Sequence, residues 1–578
     1  MLISDVNLSK LPELNAVYAC VLFKGHGKDR HDSQSYRTLS ICPLLVKALD
    51  LYIRQLELDK WELVRPETQY QGEGSSHELA ALLLTETVLH GLHTLNSPVY
   101  VLYLDARSCF DSVLRELLIL ELYSAGTRGE TLQFINNRLA NRTTYLEWDK
   151  VLMGPLFDEL GLEQGGVGSS DYWKVFARRQ LDMCQESGLG VQLFDQVVSS
   201  IGQADDCAVV STDLHSIKLL LELNMFFSHT HKISFNPPKT VLQVFSKPSH
   251  SDRVYIDKIF HPVTICDTNI EFSDSGEHVG IVRSVTGNMP NILSRITAHC
   301  KALYSVLHTG VARGHWGNPA AYVHVERLYA SPVLLSGLAA MYLKKGEISL
   351  LEMHYKKTIQ SLLRLPDRTP ATVVHFLSGT LPFEGLLHLR QLTLLGMISR
   401  QPGSVLYKHG LSVYVTSAPS RKSWFLQIAE ICCQYKLSHP ISLLENPLSK
   451  GKFKSLVKSK VYDYWEKKLR CDASTLSSLE YFKCHFYSLN TAHLIFTTAG
   501  SNPFEVKKAT LQATMLSGRY RCEKLCRFWS KDNKAGLCSF RECAQLNMKG
   551  DINHILISCQ PLSKCKRENN ECYPFSHR

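Results

Sequence analysis

Two adjacent acids, Asp205 and Asp206, stand between the apolar runs Asp195-Gln-Val-Val-Ser-Ser-Ile-Gly202 and Cys207-Ala-Val-Val-Ser211. Apolar, β-branched residues on both sides of a tight polar break predict a hairpin with the two acids at its tip. Neighbouring carboxylates repel each other, and no lysine or arginine lies within several residues. A divalent cation is the economical counter-charge. Alone, an Asp-Asp pair reads as a solvated turn; a third acid changes the reading. Asp105 ends the continuous apolar stretch Val99-Tyr-Val-Leu-Tyr-Leu-Asp105, and a buried strand holds a terminal carboxylate rigidly. A second donor set closes the chain, Cys538-x4-Cys543-x10-His554-x4-Cys559. Three thiols and one imidazole complete the tetrahedral set that structural zinc requires. Cys522 and Cys526 offer a rival pairing.

Other residues gain meaning only in company. Lys239 lies between a Pro-Pro turn and a predicted strand. Arg37 lies in a short strand-like stretch, where alone it reads as a surface charge. The turn Gly161-Leu-Glu-Gln-Gly-Gly-Val-Gly-Ser-Ser-Asp171 lacks the terminal Lys-Ser/Thr of a P-loop. Its glycines allow close backbone approach to a ligand, and Ser169, Ser170 or Asp171 is expected to cap the helix that follows. Asp111 is expected to help start the helix after Asp105. His90 and His93, spaced i, i+3, have no evident third ligand and read as structural or exposed. Between Lys450 and Arg470, eight basic residues alternate with Phe453, Tyr462, Tyr464 and Trp465. Base stacking along a phosphate track and a solvated amphipathic helix stand as equal readings.

The elements that must position these groups follow from pattern. The chain has 578 residues, 44% hydrophobic and 20% charged, too long for one core and too apolar for global disorder. Its net charge of +10 has the sign expected of a nucleic-acid partner. Met1-Leu-Ile-Ser-Asp5 is not a signal peptide, and no apolar run is long enough to span a membrane. The 18 cysteines are therefore expected as reduced thiols, free or metal-bound, in the nucleus or cytoplasm. Leu44, Leu45, Ala48, Leu49 and Tyr52 recur at helical spacing after Pro43. Ser76 caps an amphipathic helix running to His90. From Pro290 to about Ile398 the pattern is helical, broken at Pro366, Pro370 and Pro382.

In this order the pieces resemble the palm of a reverse transcriptase. Leu104-Asp-Ala-Arg-Ser-Cys-Phe-Asp111 resembles the first aspartate motif, Glu163-Gln-Gly-Gly-Val-Gly-Ser-Ser170 the Gln-Gly loop, and Gln203-Ala-Asp-Asp206 the Ala-Asp-Asp box. Asn236-Pro-Pro-Lys-Thr240 resembles the lysine motif and His278-Val-Gly-Ile281 the primer-grip hairpin. Outside the palm, Ser35-Tyr-Arg-Thr-Leu-Ser40, Arg368-Thr-Pro370, Gly379-Thr-Leu-Pro382 and the cysteine–histidine tail are similar to non-LTR (LINE-type) retrotransposon enzymes. The resemblance covers nearly the whole chain. Gln203 stands where an aromatic residue is usual, and Ser169-Ser170 where Ser-Pro is usual.

The resemblance implies an α+β, right-hand polymerase: fingers over 1–95, palm over 96–285 and a helical thumb over 286–400. A basic helical connector (401–515) and a small zinc-binding tail (516–578) follow. Two Mg²⁺ ions, roughly 3.5–4 Å apart, would clamp the attacking and leaving oxygens. Asp105 and Asp205 would be the primary ligands and Asp206 the auxiliary one. Phe110 would exclude a ribose 2′-hydroxyl, Gln164 and Gly165 would meet the incoming sugar, and Lys239 would protonate pyrophosphate. Arg37 and Lys28 would hold the triphosphate, which reverses the surface reading of Arg37. The expected partners are an RNA template, a DNA primer or target and dNTPs, with no membrane. Met1 lies just ahead of the fingers and 19 residues follow Cys559, so the endonuclease of such elements is expected to be a separate protein. The rival of a different class is a catalytically idle or domesticated RNA-binding relic. A maturase or telomerase catalytic subunit is a second rival, without a specific feature in its favour.

Overall fold

The computed structural model describes residues 15–518, with short gaps at 26, 28, 73, 141, 266, 308–316, 417–420, 477–478, 480–481 and 483–486. In the tail it describes 537–538, 540–550, 554, 558 and 559. Lys28, Cys522 and Cys526 lie outside the described residues. Two compact units divide the chain out of sequence order. One takes Met1–Arg295, Leu335–Glu347 and Leu387–Lys458; the other takes Ile296–Leu334, Ile348–Leu386 and Ser459–Arg578.

The first unit is α+β. Its central sheet has five strands, in the order Glu271–Phe272, Val241–Phe245, Val99–Asp105, Asp206–Ser211, Ser200–Gln203. Val99–Asp105 is buried on both faces until its last residue, which explains its continuous apolar sequence. On one face Tyr100, Leu102 and Leu104 pack with Leu214, Ile217, Leu220 and Leu221 of the helix Leu214–His231. On the other, the Tyr103 hydroxyl donates to Gln243 Oε1 at 2.8 Å. Gln243, itself fully buried, donates through Nε2 to the carbonyls of Asp274 (3.1 Å) and Arg283 (3.0 Å). That amide fixes the hairpin Ser275–His278/Ile281–Ser284 against the sheet. A second sheet, of four strands, runs Tyr36–Ile41, Ala16–Phe23, Thr143–Trp148, Val151–Phe157.

Several helices differ from their sequence reading. Pro43 precedes the helix Leu44–Leu63, but its buried stripe is Val46, Asp50, Ile53, Glu57 and Trp61. Leu44, Leu45 and Tyr52, read as one apolar face, are exposed; the wide aromatic Trp61, hydrogen-bonded to Thr127 Oγ1, sets which face turns inward. The helix after Asp105 starts at Arg115, with Leu114 as its cap position, so Asp111 does not start it. The helix Ser169–Glu186 has no side-chain cap. Asp171 instead accepts from Arg54 Nε (2.6 Å) and the buried Lys174 Nζ (3.2 Å), and Lys174 also meets Glu62 at 2.6 Å. Ser76 does cap His77–His93, accepting from the Leu79 amide. His90 is buried in that helix, edge-on to Phe194 and His409. Burial and then His409 push it down to about 3, so it packs as a neutral ring.

Among its described residues the second unit is helical apart from the tail. The long helix Lys450–Thr475, whose residues up to Lys458 belong to the first unit, buries Phe453, Val457, Val461, Trp465 and Leu469 and exposes the lysines. The rings of Phe453 and Trp465 therefore belong to the core and are not base-stacking platforms; the amphipathic reading holds for them. A Cβ at Gly396 would meet the Phe453 ring at 2.5 Å, and one at Gly385 would meet Trp465 Nε1 at 2.7 Å. Among the described residues no helix is long and apolar enough to cross a membrane.

Candidate active site

The hairpin predicted around the two acids forms, with a two-residue loop. Gln203 pairs with Asp206, leaving Ala204 and Asp205 as the connection. Asp206 is thus the first residue of its strand, and it lies directly opposite Asp105 in the neighbouring antiparallel ladder. Opposed residues share one face of a sheet, with Cα atoms roughly 4.5–5.5 Å apart. Asp105 and Asp206 are therefore set by register, and Asp205 by the turn. The tip reaches solvent, yet restricted solvation and then the Asp205 charge push Asp206 up to about 6. Glu277 and Asp105 add to this, and the Val279 amide, which donates to Asp206, opposes it. Such mutual repulsion is what a bound dication relieves.

Around the acids stand groups that fix them. Asn236 donates through its backbone to the Asp105 carbonyl at 2.8 Å and through Nδ2 to Oδ2 at 3.1 Å. Lys239 Nζ lies 3.4 Å from the same oxygen. With Lys239 at 62% side-chain exposure, such a pair is worth under about 1 kcal/mol, so its contribution is placement of a mobile cation. The Cys109 thiol donates to Asp205; burial, then that carboxylate, raise its pKa.

Trp173 was not signalled by the sequence motifs. Its indole Nε1 donates to the Ala204 carbonyl at 2.8 Å, and its ring stacks on Phe110 at 5.5 Å and 24°. One buried indole thus joins the candidate sugar filter to the acid-bearing tip. Only its place in the helix after the Gln-Gly loop, four residues from Ser169, hinted at this. Gln164 Nε2 donates to Asp111 Oδ1 at 3.2 Å, the role Asp111 takes in place of capping. The Gln164 carbonyl accepts from the Ser40 amide at 2.7 Å, and a Cβ at Gly165, where φ is +104°, would lie 3.0 Å from Leu39 and 3.1 Å from the Ser40 carbonyl. The loop is therefore seated on the strand that carries Arg37. Arg37 itself is exposed and, among the described residues, is not joined to the acids. Gln203 is half-buried, with Oε1 lacking a hydrogen-bond partner.

The hairpin Ser275–His278/Ile281–Ser284 turns through Val279 and Gly280, at φ of 49° and 73°. A β-branched residue in the left-handed region costs roughly 1–2 kcal/mol, and the Val279 amide is the one that reaches Asp206. Glycine would remove that strain but add roughly 0.5–1 kcal/mol of chain entropy. Val279→Gly is therefore expected to raise thermal stability slightly, by up to about 1 kcal/mol, as read by the melting temperature. A lower melting temperature would contradict the strain assignment.

In the tail Cys538, Cys543, His554 and Cys559 are all buried, with donor atoms within 4.8 Å of one another. The Sγ–Sγ distances from Cys559 to Cys538 and to Cys543 are both 3.9 Å. Tetrahedral thiolates at roughly 2.3 Å from zinc lie about 3.8 Å apart, so the spacing suits such an ion. The Cys538 amide bonds to the Met548 carbonyl and the Cys559 amide to that of His554. The four-residue spacer between the first two thiols is accommodated by the short helix Arg541–Gln545.

Residues 26–265 match the family model for "Reverse transcriptase (RNA-dependent DNA polymerase)". No curated protein sequence matches the chain. Solved structures with some likeness include apo telomerase from Candida tropicalis, at 9% identity and a TM-score of 0.37, covering 72% of this chain and 68% of that one. Telomerase from Candida albicans with a TWJ fragment of telomeric RNA shows 10% identity, a TM-score of 0.33 and coverage of 78% and 65%. A C-terminally truncated apo telomerase from Candida tropicalis is covered over 54% of its length, at 11% identity and a TM-score of 0.33. These likenesses are too slight to bear on subtype. The family match contains Asp105, Asp205, Asp206 and Lys239, and with it residues 26–265 are a reverse transcriptase domain, an RNA-directed DNA polymerase module of α+β class.

Proposed function

We propose that the chain is the reverse transcriptase of a non-LTR, LINE-type retrotransposon, extending a DNA 3′ end on an RNA template. The observation that carries the reading is the ladder register that opposes Asp105 to Asp206 with Asp205 at the adjoining turn. Its LINE character is supported by the motifs outside the palm and by the four donors that converge in the tail. In this reading residues 1–95 are fingers, 96–285 palm, 286–400 thumb, 401–515 a connector and 516–578 a zinc-binding tail.

Asp105, Asp205 and Asp206 would hold two Mg²⁺, which supply charge stabilisation to an in-line attack of the primer hydroxyl on the α-phosphorus. Lys239, held at the edge of Asp105, is placed to give its proton to departing pyrophosphate. Arg37 and Lys28 would grip the triphosphate, and Gln164 and Gly165 line the sugar's approach. A separate endonuclease would supply the nick, in the nucleus, after assembly with RNA in the cytoplasm or nucleus. A nicked duplex offered with a candidate element RNA tests the subtype: extension of the nick's 3′ end into RNA-complementary DNA supports it. Activity confined to free primer–template, at no nick, opposes it. The relic alternative draws on the exposed lysine face of Lys450–Thr475; RNA binding without incorporation would favour it.

Phe110 gives a sharper expectation. Its ring is only partly buried and is propped by Trp173, so shortening it opens space without collapsing the core. Phe110→Val is expected to shift the ratio of kcat/KM for dNTP over rNTP by roughly 10–200-fold toward ribonucleotides. An unchanged ratio in a variant that still incorporates dNTPs would return Phe110 to the core.

A further inference from the structure

A further set of metal-type donors lies in the second unit, where no motif pointed. His299 and Cys300 are neighbours on the helix Met289–Val306, and His354 is on Lys345–Leu362. Their donor atoms all lie within 4.8 Å of one another. His299 Nδ1 is 3.0 Å from His354 Nε2. The other ring nitrogen of His299 is 3.2 Å from Glu326 Oε1, which also accepts from Ser331 Oγ at 2.7 Å. Glu326 opens a π-helical turn, Glu326–Ala330, a distortion frequent at functional sites. Both His299 and Glu326 side chains are wholly buried.

From these contacts we infer a binding site for a zinc-class divalent cation, with His299 Nδ1, His354 Nε2 and Cys300 Sγ as ligands and Glu326 orienting His299 from behind. Two imidazoles and one thiol are a zinc donor set, and three protein ligands leave a fourth position for water. Cys300 and His354 are half-buried, so that position has access to solvent. Next, a carboxylate that accepts from Nε2–H fixes the tautomer in which Nδ1 offers its lone pair, the usual partner of a metal-bound histidine. Last, the charges balance. Glu326 is a buried acid whose ion pair is with His299 and whose Oε2 has no hydrogen-bond partner, and an uncompensated buried charge is costly. A dication, the Cys300 thiolate and the Glu326 carboxylate sum to zero. On binding, the Cys300 S–H proton leaves to solvent as the S–metal bond forms. The competing arrangement is a protonated His299 between Glu326 and His354, with no ion.

Cobalt(II) separates the two. In the full chain carrying Cys538→Ser, Cys543→Ser and Cys559→Ser, which removes every thiolate of the tail set, one equivalent of Co²⁺ is expected to bind with a thiolate-to-metal absorption band. Adding Cys300→Ser should abolish that band, and adding His354→Ala should weaken binding at least ~10-fold. Glu326→Gln, a change in a positioning residue, should weaken Co²⁺ binding roughly 10–100-fold while the band persists. Metal analysis of the zinc-loaded chain with its tail cysteines intact gives a second reading: His354→Ala should remove one zinc per chain. No Co²⁺ band in the chain without tail thiolates, a band that survives the further change Cys300→Ser, or an unchanged zinc content in His354→Ala would each overturn the site.

Discussion

Asp205→Ala is expected to lower templated nucleotide incorporation by ~10³-fold or more, as a loss of several kcal/mol of metal-borne charge stabilisation implies. The fold should be untouched. Asp205 is an exposed residue of a two-residue loop, and the loop is anchored by its neighbour, whose carbonyl Trp173 holds. Removing Asp205 also removes a charge that pushes Asp206 up to about 6. A carboxyl raised in the folded state costs stability at pH values above its ordinary range; relieving it leaves the metal-free protein as stable as before or slightly more so. An inactive variant that melts at or above the parent temperature is therefore the expected pair of results. Retained full activity would refute Asp205 as a metal ligand, and a large drop in melting temperature would make the loss of activity structural.

The largest stability effect is expected at Glu86. This buried acid in the helix His77–His93 accepts from Ser423 Oγ at 2.7 Å, from the Trp424 amide at 2.7 Å and from His409 Nε2 at 3.0 Å. Ser423, Trp424 and His409 are themselves buried, so three polar groups lose their acceptor together. Glu86→Ala is expected to destabilise the first unit by ~3–5 kcal/mol, because the donors left behind cannot turn to water. Thermal denaturation measures this, with loss of near-ultraviolet signal from Trp424 as a local probe. A change within about 0.5 kcal/mol, the scale of a neutral surface substitution, would show that the three donors find other acceptors.

Much of the carboxylate site was legible because strand chemistry is local. The run from Val99 to Asp105 reads as a buried strand, and the break at Gln203-Ala-Asp-Asp206 as a turn with both acids at its tip; the turn forms, but Asp206 is already the first residue of its strand. What the sequence did not disclose is which side chain across the fold each group meets. Asp111 had the composition of a helix start, but Gln164 competes for its carboxylate. Asp171 had the position of a cap, but Lys174 and Arg54 claim it. Leu44 and Leu45 had helical spacing, yet the face bearing Trp61 is the one that packs. Phe453 and Trp465 alternate with lysines in sequence, while a pitch of 3.6 residues turns them inward and the lysines outward. Trp173 and the donors around His299 are invisible to motif reading because their partners come from distant segments. Gln203 keeps its place opposite Asp206 with a free acceptor, and nothing in the structure explains why a glutamine stands there.

The register that brings Asp105, Asp205 and Asp206 together predicts RNA-directed DNA synthesis at these three acids. The most direct measurement is incorporation of dTTP on poly(rA)/oligo(dT) by the purified chain in Mg²⁺, with folding checked by circular dichroism. Primer extension that requires the RNA template and stops on chelation of Mg²⁺ is the predicted result. No incorporation by folded protein, or incorporation that persists without template or divalent ion, would contradict it.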